Sequence, residues 1–199
     1  MVDKVRTIYM NMGFTEYEHV LSTESGQDGA IYGDYLFRFH DRGLCDVYSM
    51  TDKSKLTSFE LDKMSILSPH SNAVCFGIEF YEDKDEFPLL YSNIYNNYGK
   101  EADRLEGVCC VYRITRDGNS FASKLVQVIK IGFVEELDYW KSYSGTTDVR
   151  PYGNFVVDTD HSKLYAFTMR DRDSVTRYFK FDLPKAADGT YSQVYGANV

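Results

Sequence analysis

From Gly26 onward, apolar and polar residues alternate with a period of two in short runs closed by Gly, Asp, Ser and Asn, the pattern of antiparallel strands joined by tight turns. In the clearest run, Tyr35, Phe37 and Phe39 alternate with Leu36, Arg38 and His40. The spacing predicts strands over 29–33, 35–40, 45–50 and 56–61, with turns at Asp41-Arg42-Gly43 and Thr51-Asp52-Lys53-Ser54. A second group is expected over 73–77, 89–95, 107–114 and 125–131, with Arg116-Asp117-Gly118-Asn119 as a tight hairpin turn. A third covers 154–157, 164–169 and 176–183, and 190–195 reads as the start of its fourth strand. Residues 133–143 interrupt the pattern as a loop or short helix, and 96–104 form a polar insertion. The segment before Gly26 stays open: 5–10 and 16–21 each fit an edge strand. Any helix should be confined to about one short piece near 135–143, and the whole should be one β domain over 1–199, in units of about 27–62, 70–132 and 150–199. Phe37, Phe39, Val47, Val74, Phe76, Leu90, Val111, Val156, Phe167 and Phe179 are expected to face inward.

Each group opens in the same way, with a polar residue, small and apolar residues, and then an aromatic strand. The openings are Gln27-Asp28-Gly29-Ala30-Ile31-Tyr32-Gly33-Asp34-Tyr35-Leu36-Phe37, His70-Ser71-Asn72-Ala73-Val74-Cys75-Phe76-Gly77 and Arg150-Pro151-Tyr152-Gly153-Asn154-Phe155-Val156-Val157-Asp158. Imperfect recurrence of a four-strand unit over roughly 40–50 residues is the mark of a radial or stacked β architecture. Over roughly residues 26 to 199 the units resemble those of the β-propeller repeat families, each opening looking like an innermost strand running into a second. The Trp-Asp dipeptide of WD40 repeats and the paired glycines of kelch repeats are absent. The resemblance implies an all-β fold of antiparallel four-stranded units in a partial β-propeller of about three blades, with a β-sandwich as the alternative. Propellers close with about 4–8 blades, so three would leave apolar faces uncovered and open to self-association.

Seventeen Tyr, 13 Phe and one Trp make the chain 16% aromatic, which favours strands. A net charge of -8 and a pI near 5.0 argue against a nucleic-acid partner, because phosphate binding needs a basic face. No apolar run approaches the ~20 residues of a membrane span, so no membrane partner is expected. The first residues lack the apolar core of a signal peptide. A cytoplasmic protein is therefore expected, or a secreted or periplasmic one if a leader was removed. Cys45, Cys75, Cys109 and Cys110 lack the spacing of a metal knuckle and read as buried thiols.

In a propeller, polar residues at the start of each innermost strand face the central channel. Gln27, Asp28, His70, Asn72, Arg150, Asn154 and Asp158 are therefore the candidate ligand-binding residues, for a small polar ligand or ion. The opposing reading is that they cap strand ends and satisfy backbone groups. His70 and Asn72, two apart on a strand, share a face. Asp28 and Asp158 are the carboxylates that would have to join them to hold a metal, and nothing in the spacing converges on one, so no metal and no cofactor is expected. His40 reads as a turn residue, His19 and His161 as surface residues, and Glu82-Asp83-Lys84-Asp85-Glu86 as a solvated loop without calcium-loop spacing. No catalytic motif is present: neither a nucleophile elbow, a phosphate-cradling glycine loop nor a zinc-binding helix. The leading expectation is a non-catalytic binding or scaffold module for a protein or glycan, with Tyr95, Tyr98, Trp140 and Tyr143 as candidate contacts. The alternative is a propeller hydrolase or lyase with a channel site around His70.

Overall fold

Alternation decides which side of each strand is buried. In β2 (Tyr35–Phe39), Phe37 and Phe39 are fully buried on one side while Leu36 and Arg38 lie half-exposed on the other. The computed structural model describes residues 26–67, 69–94, 108–133, 151–170, 176–189 and 191–195, and these are all-β. The first sheet is an antiparallel meander of β1 (Asp28–Tyr32), β2, β3 (Leu44–Ser49) and β4 (Lys55–Glu60). The second runs β5 (Val74–Phe76), β6 (Leu90–Ile94), β7 (Val108–Asp117) and β8 (Ser120–Phe133), again antiparallel and in chain order. The third is β9 (Pro151–Asp158), β10 (Lys163–Arg170) and β11 (Thr176–Asp182). The single-turn helix α1 (Met64–Leu67) lies between the first two sheets in sequence. The helix expected near 135–143 falls outside the described residues.

One strand departs from the expected grouping. β12 (Tyr191–Tyr195) does not complete the third sheet; it pairs parallel to β8 in the second, Tyr191 opposite Ile129 and Tyr195 opposite Phe133. At 14 residues β8 is the longest strand described, and its edge away from β7 offers unpaired backbone groups for another strand to satisfy.

The second sheet packs against both others. Along β7, Val108, Cys110, Tyr112 and Ile114 enter one core, while Cys109 and Val111 enter the other. This explains why Val108-Cys109-Cys110-Val111-Tyr112 is buried without interruption. The core shared with the first sheet is aromatic: Phe37, Phe59, Phe76, Phe87 and Phe121 pack with Tyr32 and Tyr35. Phe37 lies 5.2 Å from Phe76 and 5.4 Å from Phe87 between ring centroids, both edge to face. The core shared with the third sheet is built from Leu89, Tyr91 and Ile129 against Phe155, Val157, Leu164 and Ala166. The opening strands of the three sheets are spatial neighbours, β1 beside β5 and β5 beside β9.

Most expected inward residues are buried, Phe76 and Phe179 partly so, but Phe167 faces outward: Leu164 and Ala166 take the inward side of β10, which turns Phe167 toward Tyr178 on the outer face. Val156 also faces outward, 58% exposed. Its neighbours Phe155 and Val157 take the inward side, and strand geometry then turns Val156 outward.

Candidate functional site

The openings of the strands are tied together by side chains. Asp28, at the start of β1, accepts a hydrogen bond on Oδ2 from the Val74 amide at 2.7 Å, linking the first sheet to the second. Asn93 of β6 is fully buried and links the second sheet to the third. Its Nδ2 donates to Asn72 Oδ1 at 2.5 Å and to Asn154 Oδ1 of β9 at 2.8 Å, while its Oδ1 accepts from the Ala73 amide at 3.0 Å. Around it the backbone is irregular. Ser71 is fully buried in the left-handed region (φ 56°), held by its amide to Asn93 O and by Ser92 Oγ donating to its hydroxyl at 3.0 Å.

Of the candidate channel residues, Asn72 and Asn154 are thus brought together, through a residue that the sequence pattern did not single out. Asn93 carries no motif; it is one polar position inside a run buried on both faces. His70 pairs instead with Asp41, Nδ1 to Oδ1 at 3.1 Å. The Gln27 amide donates to Phe39 O at 2.8 Å, extending the β1–β2 ladder. Asp158 belongs to a turn: its carboxylate accepts from the Asp160 and His161 amides and from the His161 ring. Arg150 lies outside the described residues, as do His19, Tyr95, Tyr98, Trp140 and Tyr143.

A second polar group lies on the outer face of the first sheet. Asp46 of β3, with its side chain only 8% exposed, accepts from His40 Nε2 at 2.9 Å, Ser58 Oγ at 2.7 Å and Lys55 Nζ at 2.8 Å, with Arg38 Nη1 3.5 Å away. Burial by itself would raise its pKa; the bonds from Lys55, His40 and Ser58 outweigh that and hold the carboxyl at about 2. His40 is therefore part of a buried-carboxylate network as well as a turn-flanking residue. Arg38 and Ser58 lie directly opposite Asp46 on the neighbouring strands, a juxtaposition set by register. Ser58 donates to the carboxylate and not to the imidazole, so the group lacks the nucleophile-to-base bond of acyl-transfer chemistry.

The acidic loop after β5 is also more than a solvated loop. Arg113 of β7 grips Asp85 through Nε and Nη2 at 3.1 and 2.6 Å and Glu82 through Nη1 at 2.8 Å, and Arg116 holds Glu86. The four cysteines are free thiols. Burial pushes Cys45, Cys75 and Cys109 above the ordinary thiol range, away from the reactive thiolate. Among the described residues, no three His, Cys, Asp or Glu side chains gather as a metal ion requires, and no helix is long and apolar enough to cross a membrane.

No family model matches the chain, and no curated protein matches it.

Proposed function

We propose that the chain is a non-catalytic binding module, its three sheets consecutive blades of a partial β-propeller, with the outer face of the third sheet engaging a protein or glycan partner. The observation that carries this reading is an aromatic surface left bare on the side of the third sheet that faces away from its core. Tyr178 is 80% exposed, Val156 58% and Tyr165 39%. Register places them side by side: Tyr165 sits between Val156 and Lys180, and Phe167 lies opposite Tyr178. Lys180 Nζ stands 5.3 Å over the Tyr165 ring. Exposed aromatic rings flanked by polar groups supply large contact area at low entropic cost, for a sugar ring or a protein hot spot. The propeller reading is supported by strand order following chain order in the first two sheets and by the adjacency of β1, β5 and β9.

The alternative, a hydrolase or lyase around His70, has less behind it. His70 is engaged with Asp41, and three of the four thiols are buried, with Cys75 partly so. The test is a screen of the intact chain against a glycan array and immobilised protein extracts, repeated with Tyr178→Ala and Tyr165→Ala. Captured ligands should bind about tenfold or more weakly to the variants, with folding stability unchanged within about 0.5 kcal/mol. Binding indifferent to both substitutions would rule this face out. Sedimentation of the native chain alone separates a third outcome, a second copy packed on the same face.

A further inference from the structure

We infer that β11 is a self-pairing edge: two copies of the chain join their third sheets by running β11 antiparallel to β11 about a two-fold axis. This does not depend on what the outer face of the third sheet binds. Among the described residues, β11 is the last strand of that sheet, with β10 on one side only. Leu183 N donates to Ser162 O at 3.0 Å, one step beyond the opposed pair Lys163 and Asp182. Bonded and non-bonded pairs alternate along an antiparallel ladder. Phe181 and Phe179 therefore direct their N–H and C=O groups to Leu164 and Ala166 of β10. Asp182, Lys180 and Tyr178 turn theirs the other way, off the edge of the sheet.

Edges of this kind are blunted by a proline, a bulge or a charge. Tyr178-Phe179-Lys180-Phe181 has no proline, and its register with β10 runs without a shift. Its one charge is Lys180, on the outer face over the Tyr165 ring. That lysine opposes pairing with most strands, but not with a second β11. The pairing centred on Phe179 overlaps all seven residues of the strand and sets edge-facing groups opposite edge-facing groups. It places Tyr178 opposite Lys180 of the second copy and Lys180 opposite that copy's Tyr178, with Phe179 against Phe179 on the core side. Each lysine then meets an aromatic ring, as Lys180 does with Tyr165 at 5.3 Å within one chain. Centring the pair on Lys180 would instead set the two lysines against each other. The self-complementary match, repeated by the two-fold, is what selects a second copy as the occupant. Tyr178, 80% exposed in a single chain, gains a cross-strand partner in the pair.

The experiment compares the native chain with Lys180→Pro and Tyr178→Lys by sedimentation equilibrium and residue-resolved amide exchange, from about 10 μM to about 1 mM, as suits a small interface. Lys180→Pro removes an edge-facing N–H and no bond to β10, so a single chain tolerates it. Tyr178→Lys sets like charges opposite each other across the two-fold. The native mass should rise toward that of two chains with concentration. Over the same range the Tyr178 and Lys180 amides should slow about tenfold, while Phe179 and Phe181, already bonded within the chain, stay unchanged. Both variants should remain monomeric throughout. A native chain that is monomeric at every concentration overturns the assignment. So does a dimer that forms equally well in both variants, or one that leaves the Tyr178 and Lys180 amides unprotected, as packing face to face would. If Lys180→Pro fails to fold, Tyr178→Lys carries the test.

Discussion

Asp46 shows how a single buried charge is kept ionised, and at what pH it ceases to help. Its folded pKa of about 2 lies below the ordinary value of 3.8, so the network with Lys55, His40 and Ser58 stabilises the fold fully above about pH 4. That contribution is lost as pH falls through the folded value. A depression of this size corresponds to on the order of 2 kcal/mol. Asp46→Asn should therefore cost about that much in urea unfolding at pH 7, and the variant's stability should decline less steeply than the native protein's between about pH 4 and 2. Parallel pH profiles for the two would show that the network contributes no such linkage. At the other extreme of polarity, Phe37 is fully buried among aromatic rings. Phe37→Ala should cost about 3–5 kcal/mol by equilibrium unfolding, because neighbours held by their own strands cannot close the cavity. A loss under about 1 kcal/mol would mean the first core is loosely packed.

Elements are positioned here by what their ends are fastened to. The loop from Gly77 to Leu89 exposes Ile78, Phe80 and Tyr81, yet its acidic side is fixed to β7 by Arg113, with Asp85 nearly buried at 5% side-chain exposure. Arg113→Ala would leave that carboxylate without its partner. Amide exchange across 82–86 should then quicken by an order of magnitude or more while the melting temperature changes little, since residues 82–86, unlike Phe87 and Leu89, enter neither core. Unchanged exchange would show that the backbone bonds Leu89 N to Glu79 O and Asp85 N to Glu82 O hold the loop by themselves. Two glycines set the approach of elements. A Cβ on Gly77 would stand 2.6 Å from Tyr91 Cε2, and one on Gly43 (φ +83°) would stand 2.7 Å from Pro69 Cγ. Tyr91 is buried and cannot retreat, so Gly77→Ala should cost about 1–3 kcal/mol in chemical denaturation. A neutral substitution would mean β5 and β6 can separate at that point.

At the scale of the molecule, the second sheet is shared by both cores and cannot be removed from one without exposing the other. Leu90 belongs to the core with the first sheet and Val111 to the core with the third. Leu90→Ala and Val111→Ala should therefore displace one common unfolding transition, seen alike by fluorescence and far-ultraviolet circular dichroism. Two separate transitions, each moved by only one substitution, would show that the sheets fold as independent units. The end sheets differ from the central one in having one uncovered side, which is why Val156 and Tyr178 reach solvent although their strands read like core strands.

The alternation of apolar and polar residues by itself determined the strands and most turns, because side chains in a strand change sides at every residue and the pattern records which side is buried. Phe37, Phe39 and Val47 were legible as core for that reason, as was the hairpin turning at Gly118-Asn119. The pattern could not say which sheet a strand joins, because backbone pairing is blind to side chains; β12 along β8 was settled only by the free edge. Nor could it show that Val156 faces outward, since an end sheet and a middle sheet carry the same kind of strand. Asn72 and Asn154 were visible as polar openings of their units, but Asn93 between them was not, for a buried hub exists only once three segments distant in sequence meet. Asp46 was hidden for a related reason: its partners lie on β2 and β4 and just beyond the end of β2, and register alone brings them to one carboxylate.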